Sequence, residues 1–366
     1  MSEPKLLSTT VVGSYSVPEW LERLKDDHLQ RRVSAAHLEE IHQVAIKAAL
    51  KDQEQAGIDV VSDGELRRDN DIDYLLSRIP GITIANRTKL HYFDYYQAHI
   101  DQELPGPAGG SLGLAEDYRF TAQFTDQPIK FSITGPFSLS RRIENHAYNN
   151  ERDLVLALAH WLNAEAHALV DAGAGRLQID EPFLAGYPEQ VDLAIEAINA
   201  VVADVEASWA LHVCYGNRHA RPLWEGHYSF LFPAVLEARV DRLTLEFARK
   251  GYDDLALLTQ YAWDRQIGLG VIDVKNRQLE TPELVAGRIR RALEIIPADR
   301  LVVNPDCGLR HLPTDIARAK LRAMVEGALQ VRSELTTNTD PQPVLEPANG
   351  RVEPVQDSEV PVPTPS

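Results

Sequence analysis

Short runs of β-branched and apolar residues recur along the chain, each closing on small or ionisable residues: TVVGS (10–14), IDVVSDGE (58–65), IKFSITGP (129–136), RLQIDEP (176–182), ALHVCYG (210–216), RLTLEFA (242–248), IGLGVIDV (267–274) and RLVVNPDCG (300–308). Near-continuous apolar runs of this length predict strands buried on both faces. Between them, 34–56, 154–172, 191–209, 281–296 and 314–335 carry apolar residues at helical spacing. In the last of these, Leu321, Met324, Val325, Ala328 and Val331 share one face, and Thr281 followed by Pro282 reads as a cap with proline at the first helical position. Alternation of eight strands with helices over about 310 residues predicts one (β/α)8 TIM barrel, an α/β fold. Two doubly wound domains would call for a linker-like change in composition or a G-x-G-x-x-G after the first strand, and the chain has neither. The second and third strands are too far apart for one helix, so an inserted hairpin or lid is expected around 88–97. Its aromatics, Tyr92, Phe93, Tyr95 and Tyr96, read as a local mini-core. Residues 336–366 carry seven prolines and a net charge of −4, the composition of a disordered tail. The expected organisation is a barrel over 1–335 and a tail over 336–366.

Composition narrows the partners. An apolar fraction of 44% in 366 residues supports a large core, while 54 Asp and Glu against 37 Lys and Arg give a net charge of −17. That balance repels phosphate backbones and anionic membrane surfaces, so neither nucleic acid nor membrane is an expected partner. The start, MSEPKLLSTT, has no signal-peptide pattern, and no run approaches the roughly 18 apolar residues of a membrane span. The expectation is a soluble cytoplasmic protein. Two cysteines, Cys214 and Cys307, do not make a disulfide framework.

In a barrel the strand ends converge on the C-terminal mouth, where the site is expected. His212 and Cys214 lie two apart on one strand, so their side chains leave the same face. Glu246 ends the next strand, and Cys307 follows a later one. Imidazole, carboxylate and two thiolates suit a tetrahedral zinc ion better than magnesium or calcium. A strand histidine is commonly just a core residue and free cysteine a small hydrophobe, but here both cysteines of the chain fall at strand ends on the same face. Asp180 and Glu65 can hold a cationic group over the barrel, with Glu181 equally readable as a helix cap. Gly13 and Ser14 can offer an amide and a hydroxyl to a carboxylate. Together these describe a pocket for an amino acid beside a thiophilic metal.

The runs VGS (12–14), DGE (63–65), QIDEP (178–182), HVC (212–214), LE (245–246), GVID (270–273) and NPDCGL (304–309) resemble the C-terminal catalytic barrel of cobalamin-independent methionine synthase. The resemblance spans about residues 8 to 332, and the chain looks like the single-barrel "core" form. It implies zinc on His212, Cys214, Glu246 and Cys307, and homocysteine on Gly13, Ser14, Glu65 and Asp180. It also implies methyl transfer to homocysteine from methyl-tetrahydrofolate or a methyl-corrinoid. Two departures bear on the donor. Lys275, close to the strand-end Asp273, stands where the long form has a proton-delivering histidine, so these two are the catalytic candidates. The tryptophan that stacks on the pterin in the long form is absent after the third strand, which reads Thr134, Gly135, Pro136, Phe137, Ser138. A corrinoid-bound methyl needs no protonated pterin nitrogen.

Two other readings remain open at this level. A zinc alkyltransferase of the same superfamily, of the epoxyalkane:coenzyme M type, would need a sulfonate site, for which Arg67, Arg68, Arg141 and Arg142 are available. A non-catalytic barrel with a closed structural zinc is disfavoured by ligands drawn from three strands at an open mouth.

Overall fold

The computed structural model describes residues 5–84, 95–107 and 111–339. The strands are β1 (Thr83–Ile84), β2 (Ala98–Ile100), β3 (Phe131–Thr134), β4 (Ile143–Asn145), β5 (Arg176–Asp180), β6 (Ser208–Val213), β7 (Arg242–Leu245), β8 (Gln266–Ile272) and β9 (Leu301–Pro305). The helices are α1 (Glu19–Leu29), α2 (Ala35–Ala56), α3 (Asp73–Leu76), α4 (Leu114–Ala122), α5 (Pro136–Ser140), α6 (Glu151–Asp171), α7 (Val191–Val202), α8 (Leu255–Gln260), α9 (Pro282–Leu293) and α10 (Thr314–Thr339).

β3, β5, β6, β7, β8 and β9 form one parallel sheet in that order. Its strands are buried almost throughout, as their near-continuous apolar runs require. The runs expected as the first two strands contribute parallel bridges of one or two residues: Thr9 with Val303, Thr10 with Val60, and Val61 with Ile129. Hydrogen bonds from Thr10 N to Val303 O (2.9 Å), Val60 N to Thr9 O (3.0 Å) and Lys130 N to Val61 O (2.9 Å) accompany them. These pairings connect the β9 edge to the β3 edge.

The long helices pack outside this sheet. α2 and α6 start on side-chain caps, Ser34 accepting from His37 N and Asn150 from Asp153 N. α9 starts as its sequence indicates, with Thr281 accepting from Leu284 N and Pro282 in the first turn. No helix follows β6. Its place is taken by a long loop with two 3-10 turns, Tyr228–Leu231 and Ala234–Glu237, and that loop builds much of the mouth. The segment between the second and third pairing regions supplies β1 and β2, which pair antiparallel, and β2 runs parallel with β4. Tyr92 and Phe93 lie outside the described residues. α10 continues to Thr339, past the expected boundary at residue 335. In this last stretch the Thr336 and Thr337 hydroxyls donate back to the carbonyls of Arg332 and Ser333. The rest of the expected tail, 340–366, lies outside the described residues.

Candidate active site

β6 ends with His212 and Val213 and hands the chain to Cys214; the loop after β9 carries Cys307. The ligand atoms of His212, Cys214 and Cys307 lie within 4.8 Å of one another, and the two sulfurs, both free thiols, are 3.5 Å apart. His212 Nδ1 sits 3.3 Å from the Thr244 carbonyl. An Nδ1–H donating there leaves Nε2 as the nitrogen with a lone pair to give. That Nε2 is buried and has no hydrogen-bond partner among the described residues. A buried orphan imidazole nitrogen beside two thiols is costly in isolation and is a donor set suited to a thiophilic ion. Adjacent Cys214, together with burial, pushes the Cys307 thiol well up. Burial works against a charged His212, but neighbouring Cys307 outweighs it and raises the imidazole pKa.

Glu246 stands outside this group of three. It follows β7 and is fully buried, and a carboxylate there needs counter-charge. Arg249 Nε donates to its Oε1 at 3.0 Å and the Lys275 ammonium donates to its Oε2. For Lys275, desolvation opposes the charge, but Glu246 and the two cysteines beyond it prevail and hold the pKa above an ordinary lysine's. Asp273 spends its carboxylate on its own turn, accepting from Lys275 N at 2.8 Å and from the Asn276 amide. It thereby aims the lysine.

The same cavity that exposes His212, Cys214 and Cys307 is lined by Ser14, Glu65 and Asp180 and encloses about 120 Å³. Glu65 holds a left-handed backbone, φ 57°, a cost that residues tend to bear at functional sites. Ser132 Oγ donates to its Oε1 at 2.7 Å, and the Arg68 guanidinium lies 3.5 Å away. Gly13 is the reason this carboxylate fits: a Cβ there would lie 2.2 Å from Glu65 Oε1. Gly308 does the same for Ser14, whose Oγ would meet a Cβ at 2.0 Å. Asp180 accepts from Gln178 Nε2 at 2.6 Å. Gln178 in turn accepts from the buried Lys130 ammonium at 2.5 Å, and Val11 O accepts from the same ammonium at 2.6 Å. Burial pushes the Asp180 carboxyl up; His212 opposes this, and Glu65 adds to it. A bound cation relieves a buried acid whose charge is disfavoured in this way.

Glu181 points elsewhere. Its oxygens accept from Phe137 N (3.2 Å) and Ser138 N (2.8 Å), so it caps the short α5, and burial raises its pKa to about 7. Tyr95, expected in a mini-core, instead lines the cavity wall with Phe183, its ring 6.0 Å away and its hydroxyl donating to Asp71 at 3.0 Å.

Several positioning groups escaped the sequence reading. The Tyr228 hydroxyl donates to Val213 O and accepts from Glu246 N, both at 2.9 Å, tying the ends of β6 and β7 together. Asp306 accepts from the amides of Phe247 (2.9 Å), Ala248 (2.8 Å) and Arg249 (2.9 Å), fixing the loop beyond Glu246. Lys130 carried a usable signal, a single charge inside an apolar strand run; Tyr228 had none.

Comparison with known proteins places this site in context. Residues 7–330 match the family described as "Cobalamin-independent synthase, Catalytic domain". A methionine synthase of Saccharolobus islandicus is 38% identical over 335 residues, covering 92% of this chain and 98% of its own. The methionine synthase of Saccharolobus solfataricus is 37% identical over 342 residues with the same coverage. Among solved structures, a B12-independent methionine synthase from Shewanella sp. W3-18-1 in complex with selenomethionine superimposes with a TM-score of 0.80 at 27% identity, covering 91% of this chain and 99% of that one. A methyltransferase from Methanosarcina mazei shares the fold, with a TM-score of 0.59 at 14% identity over 89% of this chain and 94% of its own. Among the described residues no helix is long and apolar enough to cross a membrane. The chain belongs to the cobalamin-independent methionine synthase family and is a methyltransferase.

Proposed function

We propose that the chain is a zinc-dependent thiol methyltransferase that converts homocysteine to methionine. In this reading the bridged segments at Thr9, Thr10, Val60 and Val61 complete a (β/α)8 barrel over 1–335, with 336–366 as an appended tail. The observation that carries the proposal is the union, in one cavity, of a thiophilic donor set with two acids and Ser14. The complex of the Shewanella relative with selenomethionine, an analogue of the product, supports the same substrate class.

His212, Cys214 and Cys307 would hold zinc, with Glu246 joining them by exchanging Lys275 for the ion. Zinc held there supplies a Lewis acid that keeps a substrate thiol deprotonated at neutral pH. Asp180 and Glu65 bind the substrate ammonium, and the Ser14 hydroxyl takes its carboxylate, so the sulfur is delivered in one orientation. Lys275, held on the Asp273 turn, is released from Glu246 by that exchange. A methyl-corrinoid donor asks for no acid at the site: the sulfur lone pair forms the S–C bond while the carbon–cobalt pair stays on cobalt, and no leaving group needs a proton. Methyl-tetrahydrofolate, whose leaving nitrogen does need one, is the other donor to test. Of the arginines considered for a sulfonate-bearing thiol, Arg67, Arg68, Arg141 and Arg142 do not line the cavity, but Arg218 and Arg310 do, so turnover of coenzyme M tests that reading.

The test is methyl transfer to homocysteine by the zinc-loaded protein from methylcobalamin, methyl-tetrahydrofolate and its triglutamate. Methionine formed from methylcobalamin is the expected result. No methionine from any of the three, or equal turnover of coenzyme M, overturns the proposal.

A further inference from the structure

The buried faces of a parallel sheet are normally filled by branched apolar side chains, but one step further from the mouth than the candidate site this sheet buries a charge. Lys130, the residue before β3, is buried and donates to Val11 O at 2.6 Å and to Gln178 Oε1 at 2.5 Å. Gln178, in the middle of β5, is fully buried, and its Nε2 donates to Val12 O at 2.8 Å and to Asp180 Oδ1 at 2.6 Å. Strand alternation sets this pair beside the substrate acids. Lys130 shares a face with Ser132, which holds Glu65, and Gln178 shares a face with Asp180.

The Gln178 amide has one workable orientation. An ammonium has only hydrogens to give, and a carboxylate or carbonyl only lone pairs to offer, so Oε1 faces Lys130 while the NH2 group faces Val12 and Asp180. Lys130 is the sole donor to that oxygen among the described residues, and without it a buried acceptor is left unpaired. The same two side chains hold the segment that leads to Ser14. Thr9 and Thr10 make single bridges, to Val303 and Val60, and the next two carbonyls, Val11 O and Val12 O, are taken by Lys130 and Gln178. Gly13 and Ser14 follow directly. Burial lowers the Lys130 pKa and Arg242 adds to this, while the acids that oppose it are Asp180 and Glu65.

We propose that Lys130 and Gln178 together position the amino-acid end of the substrate: by tying Asp180 to the segment that carries Ser14, they set the spacing between the group that takes the ammonium and the group that takes the carboxylate, and so select thiols that carry both on one carbon. This rests on the homocysteine reading of the cavity. Neither residue lines that cavity, so both act through Asp180 and Ser14. A pair that only supports the sheet would favour no thiol over another.

The experiment compares the full zinc-loaded chain with Lys130→Met, Gln178→Met and the double variant. The double variant exchanges a buried polar pair for an apolar one of similar volume, a change that folds commonly accept, and it stands in for a single variant whose stranded partner prevents folding. Metal analysis gives the zinc content, and calorimetry gives dissociation constants for four thiols. These are homocysteine, 3-aminopropanethiol and 4-mercaptobutyrate, which keep the amine or the carboxylate alone, and propanethiol, which has neither. In the double variant homocysteine is expected to bind at least about tenfold more weakly, because a rigid ligand must meet two groups that have moved apart. A thiol with one group can follow its displaced partner and loses less, propanethiol is unchanged, and zinc is retained. A homocysteine loss smaller than that, a loss as large for any of the other three thiols, or loss of zinc overturns the proposal. Failure of homocysteine to bind the wild type refutes the thiol methyltransferase reading, whereas wild-type binding that the variants leave intact refutes the positioning role alone.

Discussion

Replacing Asp180 with asparagine removes one of the two acids assigned to the substrate ammonium and little else. The Asp180 oxygen that accepts from Gln178 Nε2 at 2.6 Å has an equivalent in the asparagine carbonyl, so the hydrogen bond to the Gln178 and Lys130 network survives. Glu65 remains in place on Ser132 and Arg68, so binding is weakened, not abolished. Removing one partner of a buried charged hydrogen bond costs about 2 to 4 kcal/mol, which is roughly a 30- to 900-fold rise in the homocysteine dissociation constant. The assay is calorimetry of homocysteine and of mercaptoethanol, which has no amine, on zinc-loaded wild type and Asp180→Asn. Mercaptoethanol affinity is expected to stay within about twofold, since each tenfold needs about 1.4 kcal/mol of interaction that this thiol never made. Zinc content stays the same, because Asp180 is not among the metal donors. Equal losses for the two thiols would refute the reasoning and leave Asp180 a structural group only.

Three further outcomes follow from the same geometry. Gly13→Ala pushes a methyl group into Glu65 Oε1 and is expected to weaken homocysteine at least tenfold with zinc retained, as read by calorimetry beside metal analysis; unchanged affinity contradicts the close approach. Tyr228→Phe strands Val213 O and Glu246 N, a loss of about 1 to 3 kcal/mol for buried groups left unpaired, read as a lower denaturant midpoint; no shift would mean the phenol is not holding the two strands. Methionine, which has no thiol, isolates the pH dependence of the amine site. Because burial raises the Asp180 pKa and only its ionised form pairs with an ammonium, methionine affinity is expected to fall as pH drops through the neutral range. In Asp180→Asn the profile is flatter, and identical slopes in the two proteins would contradict the assignment.

The parts of this molecule legible in the sequence are those where one element's chemistry determines its own conformation. A run such as IGLGVI becomes β8 because a strand buried on both faces leaves little place for a polar residue. Thr281 and Pro282 start α9 because cap and proline act within one turn. His212 and Cys214 share a face because a strand alternates. What the sequence left hidden depends on groups distant along the chain. Glu246 reads as a metal ligand from its strand end, but the Lys275 ammonium reaches it from 29 residues away. Tyr228 acts from a loop whose pattern has no period, and Tyr95 reaches the cavity wall because Phe183 and Asp71 meet it there. The runs at 10–14 and 58–65 read as full strands, yet they pair over one or two residues.

The central claim is that a substrate sulfur joins the donor set formed by His212, Cys214 and Cys307. X-ray absorption at the zinc edge of the loaded protein, before and after homocysteine, counts that sulfur directly. The account predicts two sulfur neighbours at about 2.3 Å with nitrogen or oxygen at about 2.0 to 2.2 Å, and a third sulfur when homocysteine is added. A sulfur count that stays at two with homocysteine bound would contradict it.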